Sequence, residues 1–288
     1  MRELSHANDV IIATERDEVR AMIEHSDGHL PRRRTVWVPR PIGKGKWRKA
    51  WKRTRIANKA LRGVDKVISV GAPLELRAAP RKARRIYITD TEVNHLAHRL
   101  ARATDIIIPT HFDEKLSGPL MAKKATFHRI DGLHGHVHLR PQLRPKEVSN
   151  PPRVLVRKLV GNGIHDEDEL LKIPEEWLNG IEVTNADENE VEGDPWLLDS
   201  RVASMDGVIT QSVTLASEAV LLGVPTLLVS RAKRGFLNRL VADGYPLFIA
   251  SQCDDDIHAS WLAGIHLTDA LDLPEWPPVR EQLIRIIG

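Results

Sequence analysis

The run from Asp206 to Ser230 constrains the fold more than any other part of the 288-residue chain. Residues 207–210, Gly-Val-Ile-Thr, form a short apolar run that reads as a buried strand. A brief polar turn follows, Gln211-Ser212-Val213-Thr214, and residues 215–222 then carry an apolar helical pattern. Gly223 supplies a left-handed stop, and Pro225 keeps the helix from continuing. Residues 226–230 return to a strand pattern. Strand, helix and strand at this spacing make a parallel unit with the helix packed on a sheet.

The turn lies off the carboxyl end of a strand and at the start of a helix. Unpaired backbone N–H groups and the helix dipole make such a place favourable for a diphosphate. Open parallel sheets bind ligands at that end. Glu218 stands four residues after Thr214, on the same helix face, where a carboxylate can accept hydrogen bonds from two ribose hydroxyls. The competing reading is an ordinary helix start, with a hydroxyl cap and an acid near the first turn. Local chemistry leaves the two readings balanced.

The same alternation runs along the rest of the chain. Apolar runs at residues 10–14, 35–38, 66–70, 85–88, 105–109 and 126–130 read as buried strands, with helical patterns at 46–61 and 92–103. Pro141 to Pro152 contains four prolines and reads as a linker. Beyond it, strands are predicted at 153–157, 181–184, 207–210, 226–230 and 246–249. Helices are predicted at 166–172, 196–205, 215–222, 235–243 and 279–287. The division expected is an N-terminal α/β domain over 1–145, a second α/β domain over 146–272, and a last helix over 273–288.

Composition excludes several classes. The net charge is only +3, with the basic residues nearly balanced by 39 acidic ones, so no nucleic-acid partner is expected. The single cysteine, Cys253, rules out an intrachain disulfide framework and fits a reducing, cytoplasmic setting. No apolar stretch reaches the roughly 18 residues of a membrane span.

Segment 206–230 resembles the nucleotide-binding motif of GT-B glycosyltransferases and of non-hydrolysing UDP-N-acetylglucosamine 2-epimerases. The pattern Thr214-x-x-x-Glu218-Ala219-x-x-Leu222-Gly223-x-Pro225 carries the likeness. Further stretches are similar to a narrower group of that superfamily, domain-of-unknown-function family 354. They are Ile88-Thr-Asp-Thr-Glu92, Ala103-Thr-Asp-Ile-Ile-Ile-Pro109, Asp131-Gly-Leu133, Val154-Leu-Val-Arg157 and His165-Asp166. The resemblance implies an α/β, GT-B-like fold: two Rossmann-like domains with parallel sheets facing a cleft, the second (146–272) binding the nucleotide sugar and the last helix (273–288) crossing back to the first. It implies a GT-B-type glycosyltransferase using a UDP-sugar, with two alternatives: a UDP-sugar 2-epimerase, or a non-catalytic nucleotide-sugar-binding relative. No cofactor is implied, the nucleotide sugar being the substrate. Relatives carry glycine where this chain has Ser212 and Val213, and a β-branched side chain there would hold a diphosphate further from the backbone.

By the same resemblance, Asp90 or Glu92 would act as the base towards an acceptor hydroxyl, or as acid and base at a sugar carbon. The competing role is capping, with Thr89 or Asp90 starting the next helix. Arg157 would clamp the diphosphate, and His165 would donate to it or polarise the sugar. Ser212, Val213, Thr214 and Glu218 would bind the nucleotide. His134, His136 and His138 alternate, so an extended backbone would point all three the same way. No carboxylate lies at a telling interval, so they read as a polar wall and no metal is expected.

The basic segment from Lys44 to Lys59 carries Trp47 and Trp51 one turn apart. It reads first as a sheet-covering helix with buried tryptophans, and behind that as a peripheral contact with the inner membrane face, near a lipid-linked acceptor, or as a nucleic-acid surface. Trp261, Trp276 and the prolines up to Pro278 are expected to pack the returning tail. Met1-Arg-Glu-Leu-Ser-His6 reads as the tail of a helix, and residues 10–14 as the family's second strand. The N-terminal domain is therefore expected to lack its first strand, through a start upstream of Met1 or through degeneration.

Overall fold

The structure is a computed structural model that describes residues 9–25, 34–140, 147–159, 171–186, 194–267 and 273–288. The chain forms two compact units. One holds the described residues up to Leu133 together with Pro278–Gly288, and the other is His134–Pro277. The division falls ahead of the proline-rich stretch where the sequence places a linker.

The first unit alternates as the apolar runs require. Its elements are β1 (Val10–Thr14), α1 (Asp17–Glu24), β2 (Arg34–Val38), α2 (Lys46–Ala60), β3 (Lys66–Val70), α3 (Pro73–Ala78), β4 (Arg84–Ile88), α4 (His95–Leu100), β5 (Asp105–Pro109) and β6 (Thr126–Ile130). Every strand pair is parallel, but the strands form two ladders, β1-β2 and β3-β4-β5-β6. Among the described residues, no strand pairs with the second edge of β1 or of β3. Ile106, Ile107 and Ile108 of β5 are all fully buried, as expected of a strand covered on both faces.

Helix α2 lies along β2 and α3 and holds the two ladders together. Its buried side includes Arg53 and Ala57. The Arg53 Nε donates to Glu75 Oε1 on α3 at 2.6 Å, and its Nη1 donates to Thr14 Oγ1 on β1 at 3.0 Å. The expected burial of the tryptophans is overturned: Trp47 is 75% exposed and Trp51 63%. The buried stripe runs through Arg53 and Ala57 instead. Lys46 lies over the Trp47 ring and Arg55 over the Trp51 ring.

The second unit contains α5 (Gly135–His138), β7 (Arg153–Arg157), β8 (Glu182–Asn185), α6 (Leu198–Ala203), β9 (Gly207–Thr210), α7 (Val213–Leu221), β10 (Thr226–Val229), α8 (Gly235–Ala242), β11 (Leu247–Ala250) and α9 (Asp255–His266). Its five strands form one parallel sheet in the order β8-β7-β9-β10-β11. The chain steps outward from β7 to β8, then returns to the other flank of β7 with β9. The sheet reverses direction between β7 and β9, and open parallel sheets take their ligands at the carboxyl ends of the strands at such a reversal.

Helix α7 ends as its sequence dictates. Gly223 has φ +79°, its N–H bonds to Val220 O at 2.9 Å, and Val224 N–H bonds to Ala219 O at 2.9 Å. These two bonds satisfy carbonyls at the helix end, and the left-handed residue between them favours glycine. Helix α9 was not anticipated. Asp254 caps it, with Oδ1 accepting from Asp256 N and Ile257 N. Trp261 on α9 does not pack the tail as expected. It is fully buried in the core beside Ile209 and Leu227, and its Nε1 donates to Pro225 O at 3.0 Å.

The last helix, α10 (Val279–Ile287), belongs to the first unit and lies beside β6. Lys66 Nζ donates to Ile287 O at 2.7 Å, and Arg84 donates to Ile286 O and Ile287 O at 2.7 and 3.2 Å. Two cations therefore meet the negative end of the helix. Gln282 Oε1 accepts from Asp131 N at 2.8 Å. No helix among the described residues is long and apolar enough to cross a membrane.

Candidate functional site at the β7–β9 crevice

Strand register sets the site. Arg157, the last residue of β7, stands opposite Thr210, the last residue of β9. The Gln211 N–H bonds back to Arg157 O at 3.2 Å, which closes the ladder where the chain turns into α7. Ser212 is the N-cap: its Oγ accepts from Leu215 N at 3.3 Å. The sequence pattern places the helix start at residue 215, but the cap brings it forward to Val213. Among the described residues, the N–H groups of Val213 and Thr214 meet no acceptor, as the first amides of a helix do. Ser212 and Val213 are half-buried and Thr214 is exposed.

Gln211 was not singled out in the sequence, yet it braces this turn. Its Oε1 accepts from Leu159 N at 2.7 Å, and its Nε2 donates to Leu171 O at 2.5 Å. It thus ties together the two sides of segment 160–170. His165 and most of the helix expected at 166–172 lie outside the described residues, as does the acidic stretch 187–193.

One turn further along α7, Glu218 meets the histidine segment. That segment is helical, not extended, which corrects the expectation that all three rings point one way. On the short helix α5, His134 and His138 share a face and their rings stack at 5.4 Å. His136 turns away and meets Trp276 edge-on at 5.1 Å. His134 Nε2 lies 3.3 Å and His138 Nε2 3.2 Å from Glu218 Oε1. Burial raises the Glu218 pKa, but the two histidines outweigh it and hold the carboxyl at about 2. The close approach depends on Gly135: a Cβ there would sit 2.6 Å from Leu221 Cδ1. The carboxylate missing from the sequence neighbourhood of the histidines is supplied by a distant helix.

Asp90 and Glu92 belong to the first unit. Asp90 follows β4 at the carboxyl end of its sheet, half-buried, and its Oδ1 accepts from Thr91 Oγ1 at 3.2 Å. Glu92 is fully buried and its Oε1 accepts from Asp113 N at 3.1 Å. Neither Thr89 nor Asp90 caps the helix that follows. Asn94 does, accepting from Ala97 N at 3.3 Å, so α4 begins at His95 and not at 92.

No protein-family model matches the chain, and no curated protein matches it either. Solved structures do. A candidate UDP-N-acetylglucosamine 2-epimerase from Listeria monocytogenes aligns over 98% of this chain and 86% of its own, at 12% identity and TM-score 0.62. The UDP-N-acetylglucosamine 2-epimerase from Rickettsia bellii aligns over 98% and 96%, at 11% identity and TM-score 0.56. The S. aureus MnaA structure with UDP aligns over 92% and 88%, at 8% identity and TM-score 0.52. These likenesses establish the fold: two α/β units with parallel sheets, of the GT-B-like class.

Proposed function

We propose that the chain is a GT-B-type glycosyltransferase that uses a UDP-sugar. The observation that carries this reading is the turn from β9 into α7 at the sheet's point of reversal, with two amides turned outward and Arg157 opposite. In this reading the Val213 and Thr214 N–H groups and the α7 dipole hold the diphosphate and stabilise it as a leaving group. Arg157 pairs with the phosphates, and Ser212 fixes the turn. Glu218 receives the ribose through Oε2, since Oε1 faces the histidines. Asp90 is the base towards the acceptor hydroxyl, and His165 assists at the phosphate.

The second reading is a UDP-sugar 2-epimerase, favoured by the identity of the structural neighbours. An epimerase turns over without an acceptor, so incubation with the donor alone separates the two. A non-catalytic binding protein would bind UDP and do neither.

The substitution Val213→Pro tests the nucleotide site. Proline suits the first helical position, and Ser212, at φ −85° and ψ 114°, already has the extended backbone that a following proline requires. The variant should melt within a few degrees of the wild type. UDP should raise the wild-type melting temperature by mass action, and the variant, which lacks one amide, should show a smaller rise. Equal shifts in the two proteins would remove the α7 start from the site. Glu218→Ala should weaken the same shift.

The acceptor is proposed to be lipid-linked, reached through a peripheral contact at α2. Support comes from the exposure of Trp47 and Trp51 on a helix rich in lysine and arginine. The chain should co-sediment with anionic vesicles, and Trp47→Ser/Trp51→Ser should abolish that. Equal binding by the double variant would discard the contact.

A further inference from the structure

We infer that His134, His138 and Glu218 form a binding site for a divalent transition-metal ion of the zinc class. This goes beyond the nucleotide reading and does not depend on it. The three ligand atoms, two imidazole Nε2 and one carboxylate oxygen, all lie within 4.8 Å of one another. Bonds of about 2.0–2.1 Å in a tetrahedral zinc site hold neighbouring ligand atoms about 3.4 Å apart. The two nitrogen–oxygen separations are 3.3 and 3.2 Å, so an ion can enter with little movement of Glu218.

The hydrogen bonding prepares one ligand. His138 Nδ1 lies 3.1 Å from His134 O, and a carbonyl can only accept, so Nδ1 carries the hydrogen. Nε2 is therefore the ring nitrogen left to face Glu218 and an ion between them. A backbone carbonyl on the distal nitrogen is the support that metal-binding histidines commonly have. Two histidines four residues apart on one helical face is a recurrent zinc arrangement.

The donor set fixes the class of ion. Two imidazoles and a carboxylate suit zinc and its transition-metal neighbours, and do not suit magnesium or calcium, which take oxygen. The two rings are 41% and 50% exposed. Solvent therefore reaches the fourth position, and three protein ligands with one open position is the arrangement of an exchangeable or reactive zinc site. Gly135 contributes to the site indirectly, because an added Cβ there would press on Leu221 Cδ1 and push α5 away from α7.

The test uses the full chain stripped of metal by a chelator, without nucleotide. Titration with Co2+ should give one equivalent bound and the visible absorption of a tetrahedral site, and Zn2+ should displace it. His134→Gln and His138→Gln should each weaken binding on the order of 100-fold while leaving far-ultraviolet circular dichroism unchanged. Gly135→Ala, which changes no ligand, should also weaken it. Less than one equivalent bound, or glutamine variants that bind as the wild type does, would overturn the inference, since binding would then belong to scattered surface histidines. UDP-induced stabilisation, measured on metal-free protein, reports on the nucleotide site alone, so the two proposals fail separately.

Discussion

At the scale of single residues, the consequential pair is Arg53 and Glu75. Their side chains are 9% and 8% exposed, and Glu75 Oε2 has no hydrogen-bond partner. Removing one member of a buried pair strands the other charge, which costs about 3–5 kcal/mol. Arg53→Met should therefore lower the unfolding free energy by roughly that amount in denaturant titration. The double variant Arg53→Met/Glu75→Leu should recover most of the loss. A single variant as stable as the wild type would show that the pair carries no net energy. None of this was legible in the sequence. Arg53 sits among seven other lysines and arginines between Lys44 and Lys59 and reads as one more solvated charge. Its partner stands 22 residues away on another helix. The same distance problem hid the metal-ligand set, since His134 and His138 were in view but Glu218 was assigned to a ribose. The turn Ser212–Thr214 was legible because a hydroxyl cap, a strand before it and a Gly-Val-Pro stop after it are all local.

Among the elements, α10 depends on a charge cluster at the amino ends of the strands. Arg84 donates to both Asp105 carboxylate oxygens, at 2.9 and 3.3 Å, while also holding the last carbonyls of α10. Arg84 is the main reason the Asp105 carboxyl lies well below the usual carboxylate range. Burial opposes that effect, and Thr104 and His128 add to it. A lowered carboxyl pKa stabilises the fold fully above the unfolded value of about 3.9, and that stabilisation is lost as pH falls below it. Asp105→Asn should thus lower the melting temperature at pH 7, and the gap from wild type should close as pH drops from about 4 towards the native pKa. A gap that stays constant with pH would deny the ion pair its role. The strands were readable to within a residue because unbroken apolar runs between turn residues have few alternatives. Helices were harder. Asn94, not Asp90, decides where α4 begins. Helix α9 opens with Asp254-Asp-Asp, which resembles a solvated turn until the cap is seen in place.

For the whole molecule, alternation was enough to give the α/β class and the parallel sheets. It could not give strand order, because every order of parallel strands produces the same alternation. The reversal between β7 and β9 exists only in the assembled sheet. The break between β1-β2 and β3-β4-β5-β6 bears on stiffness. A continuous ladder resists sideways displacement through every backbone bond it contains. Among the described residues of the first unit that resistance stops at β1 and starts again at β3, and Arg53, reaching Thr14 and Glu75, carries load across the gap. Among the described residues, no ladder bond joins the outer pair of strands to the rest, so side-chain packing alone opposes their displacement. The described strands thus make two plates joined by a seam of side chains.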